Sequence, residues 1–119
     1  MDGEVEFTAE FAAWWDALDA GEQDSFNFCV RLLQEQGPNR KRPYADTLEG
    51  SNYPNMRELR IQHEGRPYRV LYAFDPRRVG LLVLGGDKTG YPRWYKEFIP
   101  RADEIYRRHL NSLESQGGN

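Results

Sequence analysis

Residues 67–90 read PYRVLYAFDPRRVGLLVLGGDKTG. Two apolar runs flank the turn DPRR. In the first, Tyr68, Val70, Tyr72 and Phe74 alternate with Arg69, Leu71 and Ala73, the period-two pattern of a strand. The second, Val79–Leu84, is apolar on both faces, as expected of a strand covered on both sides. Asp75-Pro76 supplies a turn, and Gly85-Gly86 reads as the end of the second strand. Outside the turn, the charges of the stretch are Arg69, Asp87 and Lys88. Arg69 stands in the middle of a strand. It is a solvated arginine, half of an ion pair, or the floor of an anion-binding site.

The pattern extends upstream. Met56–His63 reads as a third strand, with Leu59 and Ile61 on one face and Glu58, Arg60 and Gln62 on the other. EGRP makes the turn into the next strand. Three strands joined by short turns form an antiparallel meander, with Arg60 near Arg69 on one polar face. Like charges across neighbouring strands repel. The pair is tolerated if Glu58 neutralises it or if its partner is an external anion. The planar fork of arginine matches phosphate oxygens, so the second option points to phosphate. Lys88 and Arg93 follow the last strand and are placed to close the same site, with Lys96 nearby. Trp94 and Tyr95 sit among them, and rings beside basic groups suit unstacked RNA bases. A tryptophan in this position is more often a core residue.

Upstream of the meander, Val5–Phe7 reads as a short edge strand. Thr8 is a helix N-cap, with Phe11, Trp14, Trp15 and Leu18 at helical spacing behind it. A second helix runs from about Glu22 to Gln36 and ends at Gly37-Pro38. The two form a hairpin that covers one sheet face and carries Trp14 and Trp15 either as core or as an assembly surface. Residues 37–55 read as a long loop whose cluster Arg40-Lys41-Arg42 is either a phosphate-contacting patch or simply solvated. The C-terminal segment, about Pro92–Leu113, reads as helix broken at Ile99-Pro100, followed by a frayed tail over residues 112–119. The expected order is β-α-α-β-β-β-α, a single α+β domain spanning residues 1–119.

At 119 residues the chain supports one core. No apolar run reaches the roughly 20 residues that span a bilayer, and MDGEVEF has no signal pattern, so a cytosolic protein is expected. The single cysteine, Cys29, excludes an internal disulfide and reads as a buried structural residue. Two histidines and no cysteine pair make a metal site unexpected. His63 reads as structural and His109 as exposed. GGDKTG lacks the spacing of a phosphate loop. The net charge of -3 hides a segregation. Residues 1–36 hold nine acids and one base, and residues 57–108 hold twelve bases and seven acids. Two faces with different partners are one reading and two solvated surfaces the other.

The run from Met56 to Leu113 resembles the RelE/ParE superfamily of toxins, in its HigB-like branch first noticed in phage genomes. The matching motifs are ELR, YRVLYAF, LLVLGGDKT, WY and IPRADEIYRRHL, in that order. The resemblance implies a RelE-like fold. It implies a toxin neutralised by a cognate antitoxin, often one with a helix-turn-helix domain. It also implies mRNA cleavage on the ribosome without metal or cofactor, by attack of a 2′-hydroxyl on the adjacent phosphate. By motif position, Arg69 would bind the scissile phosphate, Lys88 would be a second phosphate contact, and Tyr95 would stack on a base or assist proton transfer. Arg60, Arg93, Lys96 and Trp94 would contact RNA. Glu58 stands where some relatives carry a base, and Asp87 puts an acid beside Lys88. ParE-like members of the same fold act on gyrase, so a gyrase-directed toxin or an inactive antitoxin-binding module are the alternatives. Nothing in the sequence sets the oligomeric state.

Overall fold

The computed structural model describes residues 4–36 and 45–117. The Arg40-Lys41-Arg42 cluster lies outside the described residues. The elements are β1 (Val5–Phe7), α1 (Ala9–Asp16), α2 (Ala20–Gln36), β2 (Ala45–Thr47), β3 (Met56–His63), β4 (Arg66–Phe74), β5 (Gly80–Asp87) and α3 (Trp94–Gly117). The five strands form one sheet in the order β1-β5-β4-β3-β2, antiparallel except for the β1–β5 pair. The expected α+β class and meander are present. β2 was not expected: it pairs with β3 inside the stretch that reads as loop.

Local chemistry sets the boundaries. The Thr8 hydroxyl accepts from Phe11 N at 3.0 Å to start α1, and donates to the Val83 carbonyl at 2.7 Å, joining the helix to β5. Asp19 and Glu22 exchange backbone-to-carboxylate bonds at 2.8 Å each, a reciprocal cap at the start of α2. Glu64 and Gly65, with φ of 51° and 79°, form the two-residue turn whose twist suits a β3–β4 hairpin.

Period-two alternation then divides the side chains between two layers. On one face, α1 and α2 cover Leu59, Ile61, Tyr68, Val70, Tyr72 and Leu82, with Phe11, Phe26 and Leu33 from the helices. Trp14 and Trp15 are partly buried against this layer, which favours the core reading of both. On the other face, α3 covers Met56, Leu71, Ala73, Leu81 and Val83 with Trp94, Ile99, Ala102, Ile105 and Tyr106. A bulge between Leu71/Tyr72 and β5 lets Val83 and Leu84 both pack toward α3.

Three sequence expectations are corrected. Gly85 and Gly86 do not end β5, which runs to Asp87. They are the sites where tryptophans close on the sheet: a Cβ on Gly85 would lie 2.4 Å from the Trp14 ring, and one on Gly86 would lie 2.6 Å from Trp94 Nε1. The C-terminal helix is not broken at Pro100, since α3 runs from Trp94 to Gly117. Pro100 removes one helical hydrogen bond, at a cost of about 3 kcal/mol. Trp94 and Ile99 before it, and Ile105 and Tyr106 after it, are anchored in the core. Each buried large side chain contributes about 1.5–3 kcal/mol, so packing outweighs the lost bond.

His109, expected to be exposed, is the third correction. Its Nε2 lies 2.9 Å from Asp75 Oδ2 and its ring stacks on Tyr106. Asp75 has a fully buried side chain that also accepts from Arg77 Nε, Arg77 Nη2 and the Arg77 and Val79 amides. Arg77 reaches on to Glu6 at 2.8 Å. This network ties the β4–β5 turn to both α3 and β1.

Candidate active site

Arg60 and Arg69 are direct cross-strand partners in the β3–β4 register. Two arginines at such a position repel unless an anion lies between them. Glu58, two residues before Arg60 and on the same face, supplies it. Glu58 is 5% exposed. Its Oε2 lies 3.3 Å from Arg60 Nη2, and its Oε1 lies 3.4 Å from Arg69 Nε. Arg69 is therefore half of an ion pair rather than a solvated arginine, with a side chain only 15% exposed. Its Nη1 donates to the Tyr68 carbonyl at 2.9 Å, which turns the guanidinium plane along the strand.

α3 delivers the third component. The Tyr95 hydroxyl donates to Glu58 Oε1 at 2.6 Å and accepts from Arg69 Nε at 3.1 Å. Burial pushes the Tyr95 phenol above its ordinary value, the hydrogen bond to Glu58 adds to that, and Arg69 opposes it. The hydroxyl is consequently protonated at neutral pH. Lys88 Nζ stands 5.2 Å from the centre of the Tyr95 ring, a cation–π contact. Three cations and one carboxylate thus meet at the N-terminal end of α3.

Trp94 holds Tyr95 in place from behind. It is 1% exposed, packed against Gly86 and stacked on Phe98 with centroids 4.6 Å apart. In this arrangement it offers no ring face to a base, so its expected part in RNA contact becomes one of positioning. Arg93 and Lys96 are exposed at the rim. Arg93 Nε lies 3.8 Å from Glu97, and no contact joins either residue to the cluster among the described residues. Asp87, beside Lys88 in sequence, is turned away. It accepts from the Thr89 amide at 2.9 Å and lies 3.7 Å from Arg66.

The structure therefore brings together Arg60, Arg69, Lys88 and Tyr95, and adds Glu58 as the shared partner of Arg60, Arg69 and Tyr95. The signal for Glu58 was present as an acid two residues from Arg60 on a strand. The approach of Tyr95 from a helix 37 residues away was not. Among the described residues, no group of three or more histidine, cysteine, aspartate or glutamate side chains is arranged to hold a metal. No helix there is long and apolar enough to cross a membrane.

Comparison with known proteins places the chain in a family. Residues 13–107 match the family described as phage derived protein Gp49-like (DUF891). Two proteins of Mycobacterium tuberculosis are similar in sequence. "Putative toxin HigB3" is 42% identical over 106 residues, covering 88% of this chain and 89% of that protein. "Putative toxin HigB2" is 38% identical over 105 residues, covering 87% of this chain. The match spans about half of HigB2, 52% of its length. In fold, the chain is similar to a free-state arginine-to-alanine mutant of the Escherichia coli toxin RelE, with a TM-score of 0.58, 14% identity, and coverage of 95% of this chain and 99% of that one. It is also similar to a chain of the archaeal RelE–RelB complex from Pyrococcus horikoshii, with a TM-score of 0.53, 17% identity, and coverage of 74% and 97%. The fold is RelE-like, and the chain belongs to the Gp49-like family, together with the HigB-type proteins.

Proposed function

We propose that this chain is the toxin of a type II toxin–antitoxin pair, and that it cleaves mRNA during translation without a metal ion. The observation that carries the reading is the shared contact of Arg69 and Tyr95 with the buried Glu58 carboxylate. Family membership and the similarity to HigB2 and HigB3 support the toxin assignment.

The chemistry follows from the groups present. A phosphate lying over Arg69 and Arg60 meets two guanidinium forks that stabilise the charge developing on its oxygens. The 2′-oxygen of the preceding nucleotide attacks phosphorus, and the bond to the 5′-oxygen breaks. The proton leaving the 2′-hydroxyl passes to the Tyr95 oxygen as Tyr95 hands its own proton to Glu58 at 2.6 Å. Lys88, whose ammonium lies 5.2 Å from the centre of the Tyr95 ring, gives a proton to the departing 5′-oxygen. The products are a 2′,3′-cyclic phosphate and a 5′-hydroxyl. The partners in this reading are mRNA on the ribosome and a cognate antitoxin with a helix-turn-helix domain, in the cytoplasm.

The test is end-group analysis of RNA from cells induced to express the protein. Fragments with 2′,3′-cyclic phosphate and 5′-hydroxyl ends are expected, and their loss on co-expression of the product of an adjacent gene identifies the antitoxin. Growth arrest with intact mRNA would overturn the nuclease assignment.

A further inference from the structure

β1 pairs with β5 only over Gly80–Leu82, and the chain then leaves the sheet at Thr8 to start α1. β5 runs on to Asp87 with no further strand on that side among the described residues. At this edge, opposite to β2, the helix layers on the two sheet faces part around a cleft of about 480 Å³. Ala13 and Trp14 form its α1 wall, Gly85 and Gly86 its floor, and Phe98 and Arg101 its α3 wall.

The lining says what fits there. Ring walls over a floor without side chains suit a large apolar group, and the nearby Tyr91 ring is left 38% exposed. Trp94, also in the lining, is 1% exposed, and its Nε1 lies over Gly86 with no hydrogen-bond partner among the described residues. A buried donor of this kind calls for an acceptor. The acids of the lining are already engaged, Glu10 by Arg108 at 3.0 Å and Asp87 by the Thr89 amide and Arg66. Arg101 is exposed, its guanidinium carbon 4.8 Å from the centre of the Phe98 ring, and no carboxylate lies within ion-pair distance of it among the described residues. It is the charge on the wall that an occupant can pair. Gly86 is the register partner of Arg69, so the cleft begins one strand away from the candidate active site.

We infer that this cleft is the docking site for a segment of the cognate antitoxin, one that presents a large apolar side chain beside a carboxylate. The apolar side chain fills the space over Gly85 and Gly86, a main-chain carbonyl accepts from Trp94 Nε1, and the carboxylate pairs with Arg101. The inference rests on the toxin reading and locates its protein partner. An acidic segment also complements residues 57–108, with their twelve bases and seven acids. RNA fits less well, because a mainly apolar lining with one unpaired cation does not match a run of phosphates.

The experiment uses the full chain and the purified product of the adjacent gene. Affinity is measured by titration calorimetry, and RNA cleavage is followed on the same preparations. Ala13→Trp fills the cleft from an exposed position of α1, and Arg101→Glu reverses the charge on its wall. Neither residue belongs to the candidate active site, so both variants are expected to fold and to cut RNA as the wild type does. Each is expected to bind the adjacent-gene product about tenfold more weakly, and Arg101→Lys to bind it nearly as the wild type. Folded variants that both bind with wild-type affinity overturn the docking site and leave the nuclease reading standing. Weakened binding in both, with RNA left intact by the wild type, overturns the nuclease reading and leaves the docking site standing. A wild type that does not bind the adjacent-gene product overturns the docking site. Variants that bind the partner normally but lose affinity for RNA assign the cleft to RNA. A wild-type dimer that Ala13→Trp dissociates, with partner affinity unchanged, assigns it to a second copy of the chain. Either of these last two results overturns the inference.

Discussion

The Tyr95 hydroxyl rests 2.6 Å from Glu58 Oε1, and the same carboxylate oxygen lies 3.4 Å from Arg69 Nε. One buried acid therefore orients a phenol from the helix and a guanidinium from the sheet. It also neutralises two arginines that would otherwise face each other across strands. Glu58 looks like a defect when basic residues alone are counted. In the fold it is the group around which the others are arranged.

Replacing it separates charge from shape. Glu58→Gln keeps the volume but removes the negative charge that lies between Arg60 and Arg69. A stability loss of about 1–3 kcal/mol is expected, as for a charged hydrogen-bonded group losing its partner, with a fall in RNA cleavage of roughly 100-fold, the scale of general acid–base assistance. Denaturant melts and fragment yields on one preparation check both. Unchanged cleavage would remove Glu58 from the site.

Tyr95→Phe removes only the hydroxyl. The ring still packs on Trp94 at 5.2 Å, so the fold is expected to hold to within about 1.5 kcal/mol. Cleavage is expected to fall while affinity for RNA changes little. The raised Tyr95 pKa means that no loss of its proton shapes the rate below pH 10. A rate–pH profile in which a wild-type inflection between pH 7 and 9 vanishes in Tyr95→Phe would contradict this.

Acid stability tests the distal network. Burial alone would raise the Asp75 pKa, but hydrogen bonds from Arg77, His109 and the backbone amides of Arg77 and Val79 outweigh it and hold the pKa below 3.8. A depressed folded-state pKa contributes stability above the unfolded value, and that contribution is lost as pH falls through the folded one. Glu22, held down by the Tyr68 hydroxyl, acts in the same direction below 4.5. Stability should therefore begin to fall below about pH 4.5. Asp75→Asn should reduce stability at pH 7 by about 2–3 kcal/mol, since Arg77 is left partly uncompensated, and should flatten the acid limb. Urea melts across pH 3–7 read both effects.

The two glycines of β5 make a paired test. Gly85→Ala drives a methyl into the rigid Trp14 ring, and Gly86→Ala drives one into Trp94. Each is expected to cost about 1–3 kcal/mol, as overpacking does. Only Gly86→Ala, through Trp94, should also displace Tyr95. Cleavage by the folded protein should fall in Gly86→Ala and persist in Gly85→Ala. Equal effects in the two would contradict the positioning role of Trp94.

Much of this was legible from local pattern. The alternation of Tyr68 to Phe74 and of Glu58 to Gln62 assigns each side chain to its observed face. Thr8, and the turn at Glu64-Gly65, act through short-range chemistry that a sequence displays directly. The misreadings share a cause, which is long-range packing. β2 is three residues with no alternation of its own and exists because β3 offers an edge. Pro100 sits inside a helix because the sheet holds both flanks. Gly85-Gly86 resembles a strand end until two tryptophans, 71 and 8 residues away, are placed on it. In the site, Arg60, Arg69 and Glu58 were visible as one face, while the burial of Trp94 and the Tyr95–Glu58 contact depend on where α3 lands.

The most direct test of the account is 3′-end mapping of a defined mRNA in a cell-free translation reaction, with wild-type protein and with Arg69→Ala shown to be folded. New ends at positions occupied by ribosomes, absent with Arg69→Ala, are the predicted result. Intact mRNA with the wild-type protein, or an identical cut pattern with folded Arg69→Ala, would contradict the assignment of this site.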